Sequence, residues 1–386
     1  MAKKRLRIFA FGGNEVAPVG VKDPKTGKEI VPDIALQWQK TVQTCKLVAD
    51  IIEKYPDDLY IMTHGNGPQV GNILLRAEYS RPILPSLPLD VCGADTQGAM
   101  GFMLSNLLCN ELRMRGIQRL ASALVTQVVV DKDDPDFKSP SKYVGPTYGK
   151  DEALSRKEKD GWAVKCYKKD AAGVELWRRV VPSPVPIDIV ELPAVEALLQ
   201  AGIIPVTVGG GGIPVNAVKP KASGSDEAYE VNYGISFKKP KGAPSGKGGH
   251  PPSGDLGSHA QAEKVYSGVE AVIDKDLASA LLGNLLLKGA KARGEDREVT
   301  LTIFTGEDGA KLNYQKPDQV DLRKLTVKEA AEIYNRKPCP FPAGSMGPKI
   351  KAAIKFIEDG GHAAYISKTE LFDKTLAGTA GTTIIP

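Results

Sequence analysis

Short runs of apolar residues alternate with longer segments that are apolar on one face along much of the chain. In chain order, LRIFAFGG predicts a strand, QWQKTVQTCKLVADIIEKY a helix, DLYIMTHG a strand, GADTQGAMGFMLSNLLCNELRMRG a helix and ASALVTQVVV a strand. Helices of this length between brief buried strands are typical of βαβ units and of a mainly parallel sheet that is covered on both faces. The pattern therefore predicts an α/β fold.

Two segments interrupt this alternation. From Asp131 to about residue 180 the chain is rich in proline, lysine and tyrosine, which indicates an excursion from the main sheet into a small subdomain with β structure. Residues 216–264 combine Gly, Pro, Ser and Lys at a density that cannot bury a core, so an exposed polar insertion is expected. We therefore predict an N-terminal lobe over residues 1–215, which includes the protruding subdomain, and a C-terminal lobe over residues 265–386.

Composition excludes several classes of protein. The 386 residues are 42% hydrophobic and 25% charged, which is enough apolar material for a large core. The 51 Lys and Arg residues are too closely balanced by 46 Asp and Glu to form a nucleic-acid footprint. The basic N-terminal run ends at Phe11 before two glycines and lacks the apolar region of a signal peptide, and no stretch is long enough to span a bilayer. We expect neither nucleic acid nor a membrane as a partner.

Cysteine and histidine usage gives no sign of a structural metal site. The cysteines are odd in number, widely scattered and never in C-x-x-C spacing, which fits reduced thiols and a cytoplasmic location. The four histidines form no H-E-x-x-H or related pattern. Structural zinc is therefore not expected.

Glycine clusters directly follow three of the predicted strands: Gly12-Gly13-Asn14, Gly65-Asn66-Gly67, and Gly209 to Gly212. In a parallel sheet the carboxyl ends of the strands share one edge, where helices begin with free N–H groups. Because glycine has no Cβ atom, backbone amides at that edge can approach phosphate oxygens closely. For any single cluster, a plain turn is an equally good explanation. None of the clusters matches the P-loop or the G-x-G-x-x-G pattern. Together they predict a cradle for a small anion.

Three lysines are candidates for phosphate chemistry by their local context. Lys275 lies between two aspartates in VIDKDLAS, Lys349 follows a Gly-Pro loop in AGSMGPK, and Lys142 lies in SPSKYVGP on the excursion. Phosphoryl transfer mainly needs positioned cations and usually a magnesium ion, because the transferred group carries spread negative charge. For each lysine taken alone, an ordinary solvated side chain remains the alternative.

Eight motifs, in the same order along the chain, resemble those of the carbamate kinase family: FGGN (11–14), THGNGPQVG (63–71), PLDVCGADTQGAMG (88–101), RRVVPSP (178–184), GGGGIPV (209–215), GVEAVIDKDLASALL (268–282), NYQKPDQ (313–319) and AGSMGPK (343–349). The resemblance implies the amino-acid-kinase fold, a three-layer αβα sandwich around a mainly parallel sheet, usually as a homodimer. It also implies reversible phosphoryl transfer between ADP with carbamoyl phosphate and ATP with carbamate, with magnesium, in ATP-forming catabolism of arginine or purines.

The resemblance further implies roles for individual residues. It assigns the carbamoyl phosphate end, in the N-terminal lobe, to Gly12, Gly13, Asn14, Gly65, Asn66 and Gly67. It assigns catalysis to Lys142, Lys275, Asp276 and Lys349. It assigns nucleotide binding to Gly210, Gly211, Thr305, Asp318, Met346 and Lys349, of which the last four lie in the C-terminal, nucleotide-binding lobe. Magnesium would be bound through the nucleotide phosphates, with Asp276 to orient a lysine or assist the metal. His64 is then expected to be a turn or packing residue.

Several departures from the family pattern keep other functions open. Glu15 follows GGN, where the family usually has a small or apolar residue, and Gly306 replaces an aspartate of the family's TDVDG. The loop at residues 170–177 is altered, and the insertion enters shortly before VIDKD. The alternatives are a kinase of the same fold acting on another small carboxylate or carbamate, and a nucleotide-binding paralogue without turnover.

Overall fold

The computed structural model describes residues 4–16, 27, 33–170, 172–219, 228–238 and 264–386 of the chain. The strands are β1 (Lys4–Phe11), β2 (Leu59–His64), β3 (Ala121–Ala123), β4 (Gln127–Val130), β5 (Lys142–Tyr148), β6 (Ala163–Lys169), β7 (Glu175–Val181), β8 (Pro186–Ile189), β9 (Ile204–Val206), β10 (Ile213–Val218), β11 (Ala228–Val231), β12 (Ile235–Lys238), β13 (Val265–Gly268), β14 (Arg297–Phe304), β15 (Lys311–Leu312), β16 (Val320–Asp321), β17 (Lys324–Thr326), β18 (Ala363–Ser367) and β19 (Thr382–Ile385). The helices are α1 (Gly13–Val16), α2 (Ile34–Lys54), α3 (Gln69–Ser80), α4 (Leu89–Met114), α5 (Lys150–Asp160), α6 (Leu192–Gln200), α7 (Lys275–Ala292), α8 (Val327–Tyr334), α9 (Met346–Glu358) and α10 (Phe372–Leu376).

The central sheet has eight strands within the described ranges, in the order β17-β19-β18-β14-β1-β2-β9-β3. Every neighbouring pair in it is parallel except β18 with β19, which is antiparallel. The mainly parallel α/β sheet predicted from the sequence is confirmed.

Strand β1 lies at the centre of this sheet and packs on both of its faces. Leu6 and Ile8 belong to a core cluster with residues of α7 and α9, whereas Phe9 and Phe11 belong to a second cluster with residues of α2 and α4. Successive side chains of a strand point to opposite faces, so this division places helices on both sides of the sheet. The apolar run of β1 is therefore nearly continuous, and the fold is the predicted three-layer αβα sandwich.

Helix α7 begins at the carboxyl edge of the sheet because Asp274 caps it. The Oδ1 atom of Asp274 accepts hydrogen bonds from the backbone N–H of Asp276 at 2.9 Å and of Leu277 at 3.2 Å. An aspartate in extended conformation at this position satisfies N–H groups that lack a partner inside the helix. The cap places Lys275 and Asp276 in the first turn.

The segment predicted as an excursion, at about residues 131–180, contains a small antiparallel sheet of its own. Its strands have the order β5-β7-β6, and helix α5 lies between β5 and β6 in the chain. The pairing of β5 with β7 shifts register between Val144 and Tyr148, at an irregular bend within β5 that contains Gly145 and Pro146, which we call the Gly145 turn. This subdomain packs on α3, since Val144 and Val181 share a cluster with Val70.

Part of the segment predicted as an exposed polar insertion is strand. Strand β10 continues to Val218 and pairs antiparallel with β13, and β11 with β12 forms a hairpin between them. The Nδ2 atom of Asn232 in this hairpin donates to the Gly268 carbonyl at 2.9 Å. Composition gave no sign of these strands, because β10 pairs with a strand on the far side of the insertion and the hairpin strands β11 and β12 contain no buried residue. The most Gly-, Pro- and Lys-rich stretches, 220–227 and 239–263, lie outside the described residues.

Helices long and apolar enough to cross a membrane are absent from the described part of the chain.

Candidate active site

A cleft of about 580 Å³ opens at the carboxyl edge of the central sheet. Its floor consists of residues that follow β1, β2, β9 and β14: Gly12, Gly13, Gly65, Asn66, Gly67, Gly210, Thr305 and Gly306. Its walls come from the first turn of α7, the start of α9 and the subdomain strands β5 and β7. The three lysines expected to act together, Lys142, Lys275 and Lys349, all line this one cleft.

The glycine turns on the floor pack against one another at very short range. A Cβ atom on Gly13 would lie 2.3 Å from the carbonyl oxygen of Gly67, and one on Gly65 would lie 3.3 Å from the Gly13 nitrogen. Gly210 has φ of +66°, and its Cβ would lie 2.3 Å from Nδ2 of Asn66. Real Cβ atoms do not come within 2.3 Å of another heavy atom, so the contacts at Gly13 and Gly210 require glycine whether or not an anion binds, and the 3.3 Å contact at Gly65 is merely tight. The result is a floor made largely of bare backbone.

His64 is buried beneath the cleft floor and contacts two of its glycine turns, at Gly65 and at Gly209. Its ring is buried, its Nδ1 lies 3.0 Å from the Gly65 carbonyl oxygen, and a Cβ on Gly209 would lie 2.5 Å from its Nε2. Burial lowers the pKa of His64 to about 4, against the opposing effect of the Gly65 carbonyl. The imidazole is therefore neutral near pH 7 and packs between two turns, as expected of a turn or packing residue.

Lys275, Asp276 and Lys349 form a buried charge cluster at the start of α7. Lys275 Nζ donates to Asp276 Oδ1, and Lys349 Nζ donates to Asp276 Oδ2 at 3.1 Å. Burial alone would raise the pKa of Asp276, but the two ammonium groups outweigh it and hold that pKa below its usual range. Burial lowers the pKa of Lys275, with Asp276 opposing the shift. Two cations on one carboxylate leave the cluster net positive and its ammonium groups oriented.

Lys142 reaches the same end of α7 from the subdomain. Its Nζ donates to the Ile273 carbonyl at 3.1 Å, one residue before the capping Asp274. Burial lowers the pKa of Lys142, while Asp274, Asp276 and Asp136 act in the opposite direction. The carboxyl edge of the sheet thus collects cations from β5, α7 and α9.

Four residues expected at the site have other positions or only a partial description. Gly211 is buried beside the Ile273 carbonyl, Met346 begins α9 and packs on the core, and exposed Asp318 accepts a hydrogen bond from Asn313 Nδ2 at 2.7 Å. None of these three belongs to the described lining of the cleft. The Asn14 backbone lies in α1, and its side chain is outside the described part of the structure.

The cleft also contains side chains to which the sequence assigned no role. Glu15 is buried in its wall, where Oε2 accepts from the Thr369 hydroxyl at 3.3 Å. Arg178 contributes a cation from β7. Arg178 lies inside the RRVVPSP motif, but only the pairing of β7 with β5 brings it to the cleft. The sequence identified Glu15 as a departure from the family pattern, but it did not indicate that its side chain lies in the wall of the cleft.

The described residues suit a magnesium ion carried by a nucleotide better than one enclosed by protein. Groups of three or more His, Cys, Asp or Glu side chains that could hold a metal are absent from them. Both oxygens of Asp276 already accept from lysines. Magnesium is commonly bound by substrate phosphates, waters and one or two carboxylates, and Glu15, Asp274 and Asp276 are the carboxylates that line the cleft.

The chain is similar over nearly its whole length to several carbamate kinases. It is 37% identical over 380 residues to the carbamate kinase of Thermococcus kodakarensis, and 36% identical over 383 residues to carbamate kinase 2 of Enterococcus faecalis, with 98% of each chain covered. Its structure is similar to that of carbamate kinase from Giardia lamblia bound to AMP-PNP, with a TM-score of 0.74 and 30% identity over 100% of this chain and 99% of that one. No family model matches the chain.

Proposed function

The chain belongs to the carbamate kinase family, and on that premise we propose that its cleft transfers a phosphoryl group reversibly between carbamoyl phosphate with ADP and carbamate with ATP. The observation that carries the proposal is the convergence of Lys142, Lys275 and Lys349 on a cleft floored by glycine backbone. Such a floor and such cations suit a phosphoryl group, which offers several negative oxygens and little need for covalent catalysis.

The three cations would neutralise the charge that spreads over the phosphoryl oxygens in the transition state. Asp276 fixes the direction of the Lys275 and Lys349 ammonium groups, so little reorganisation is needed when the charge moves. A general base is not required, because carbamate is already an anionic nucleophile and positioning supplies much of the rate. Each of the three lysines of the cleft has a hydrogen-bond partner in or just before the first turn of α7: Asp276 for Lys275 and Lys349, and the Ile273 carbonyl for Lys142.

The nucleotide phosphates would bind where α9 begins. Gly344, Ser345 and Lys349 line this end of the cleft. In the first turn of the helix, the Gly347 N–H already donates to the Pro342 carbonyl at 2.9 Å and Pro348 has no N–H, so the ammonium group of Lys349 is the donor offered to phosphate oxygens here. A magnesium ion bound with the nucleotide would offset part of the phosphate charge. Glu15, Asp274 and Asp276 are the residues that could contact it.

The assay is ATP formation from ADP and carbamoyl phosphate, with acetyl phosphate as the competing acyl phosphate. We expect ATP from carbamoyl phosphate, little from acetyl phosphate, and a fall in kcat of more than about tenfold in Lys275→Ala. Lys288→Ala is the matched control, because it removes an exposed lysine from the same helix, and its rate should stay within about twofold of wild type. Failure of concentrated wild-type protein to form ATP would reject the function, and a preference for acetyl phosphate would favour another small carboxylate.

The family resemblance also supports a homodimer, a cytoplasmic location and use of the reaction to form ATP in catabolism. Sedimentation of the full chain should then give twice its 41.3 kDa mass. A monomer at micromolar concentration would contradict the dimer and leave the activity unaffected.

A further inference from the structure

Arg178 lines the cleft beside the three lysines, and the reaction as described gives it no task. It lies on β7, the middle strand of the subdomain sheet, whereas Lys142 lies on the neighbouring β5. The register pairs Tyr143 with Val180 and Lys142 with Val181. Because side chains alternate along a strand, Arg178 shares a face with Tyr143 and Lys142 extends from the other face. The two cations therefore reach the cleft from opposite sides of one small sheet.

The guanidinium of Arg178 is held in a fixed orientation. Its Nη2 donates to the Gly145 carbonyl at 2.7 Å. Its central carbon lies 5.1 Å from the ring centre of Tyr167 and 6.0 Å from that of Tyr143, within range of cation–π attraction. Its Nε is buried and has no hydrogen-bond partner within the described residues. A buried N–H donor without an acceptor is uncommon in folded proteins and calls for an explanation, such as a bound ligand.

The Gly145 turn places Arg178 near the end of the cleft assigned to the acyl phosphate. Gly145 packs against the first turn of α3, where a Cβ on Gly71 would lie 3.6 Å from the Gly145 Cα. Helix α3 directly follows the Gly65-Asn66-Gly67 turn. The nucleotide end, at Thr305 and Gly344, is lined instead by the C-terminal lobe.

We propose that Arg178 binds the phosphate of carbamoyl phosphate. The inference rests on the proposed function and adds a substrate-binding residue to the same site. The planar guanidinium presents several N–H donors that match phosphate oxygens, and such charge-assisted hydrogen bonds are among the stronger ones in proteins. Each of the three lysines uses one ammonium N–H on Asp276 or on the Ile273 carbonyl, and Arg178 uses Nη2 on the Gly145 carbonyl, so all four cations keep further N–H donors for phosphate oxygens.

The test is steady-state kinetics of ATP formation, with carbamoyl phosphate and ADP varied separately. For Arg178→Met we expect a KM for carbamoyl phosphate raised by about tenfold or more, with the KM for ADP within about twofold of wild type. Arg178→Lys should recover part of the loss, because it keeps the charge but not the fork of donors. Lys165→Met is the matched control: Lys165 pairs with Arg178 across β6 and β7, is exposed, and does not line the cleft.

The outcomes separate this inference from the function on which it rests. A wild-type protein that forms no ATP overturns both. An active wild type with an unchanged KM for carbamoyl phosphate in Arg178→Met overturns only the inference. An equal rise in both KM values, or a loss of kcat alone, would show that Arg178 merely supports the Gly145 turn and would also overturn it. The same rise in Lys165→Met would assign the effect to long-range charge. If Arg178→Met does not fold by its melting curve, the two KM values of Arg178→Lys decide.

Discussion

The two ends of the cleft contain glycine for different physical reasons. At the end proposed for the acyl phosphate, a Cβ on Gly13 would lie 2.3 Å from the Gly67 carbonyl oxygen. Gly210, which the resemblance assigns to the nucleotide, also packs at this end, since its Cβ would lie 2.3 Å from Asn66 Nδ2. At the nucleotide end, a Cβ on Gly306 or Gly344 would meet no atom within 4 Å in the described structure. The first end is rigid because its turns interlock, whereas the second has room for a larger ligand. The sequence shows the same residue type at both ends and cannot distinguish them.

Asp276 joins these two ends. It accepts from Lys275, whose side-chain stem lies about 3.5 Å from where a Cβ on Gly65 would sit, and from Lys349, which follows the Gly344 loop. The carboxylate is only 4% exposed, and the two lysine side chains are 11% and 14% exposed. One buried negative charge therefore holds together cations that belong to opposite ends of the site.

Asp276→Asn should have the largest effect, because it removes the charge that both ends share. We expect kcat to fall by more than about tenfold and the free energy of unfolding to fall by about 3 kcal/mol, since two buried ammonium groups would face each other without a counter-charge. Coupled assays and urea unfolding measure the two quantities.

Asp359→Asn is the control for this variant. Asp359 pairs with Lys355 on the surface of α9, four residues apart, and such pairs contribute little to stability. If Asp276→Asn retained wild-type kcat and unfolding free energy, the two ends of the cleft would not depend on this carboxylate.

Gly210→Ala and Gly306→Ala test the contrast directly. In Gly210→Ala, the positive φ and the collision with Asn66 should lower the free energy of unfolding by about 2 kcal/mol and raise the KM for carbamoyl phosphate severalfold. Gly306→Ala adds a methyl group where no protein atom of the described structure lies within 4 Å, so the free energy of unfolding should change little and the KM for carbamoyl phosphate should stay within about twofold. Melting curves and kinetics of the two variants suffice. Similar effects in both would remove the distinction between a rigid and an open end.

The acyl phosphate end was more predictable from the sequence than the nucleotide end. The strands and the glycine turns of that end follow from local patterns, since a strand buried on both faces is continuously apolar and glycine directly follows it. Asp318 shows why the other end was harder. The turn that contains it folds back on itself, with left-handed Asn313 and Gln315 and a hydrogen bond from Asn313 to Asp318. That local geometry keeps Asp318 out of the described lining, although its motif resembles a nucleotide-binding segment.

Long-range pairing accounts for the other features that the sequence did not indicate. Strand β13 pairs with β10 across the whole insertion, so composition alone suggested only a polar loop there. Arg178 reaches the cleft because of the register of β7 on β5, and Glu15 is placed by the turn of α1 against Thr369. In each case the sequence gives the residue, but its spatial neighbours are determined by contacts between segments that lie far apart in the chain.

The smallest predicted effect concerns His64, on which the rigid end rests. The pKa of His64 is lowered by burial from 6.5 to about 4, so the unfolded chain binds a proton more readily than the folded one between these values. Its contribution to stability is therefore fully present above about pH 6.5 and is lost as the pH falls toward 4, by roughly 1 to 2 kcal/mol at pH 5. Urea unfolding at pH 7 and pH 5, of wild type and His64→Gln, measures this difference. His64→Gln should be less stable at pH 7 because the packing changes, yet it should lose less stability on acidification than wild type does. Equal losses in the two proteins would mean that His64 is not the group that titrates, and that the rigid end of the cleft does not depend on a neutral imidazole.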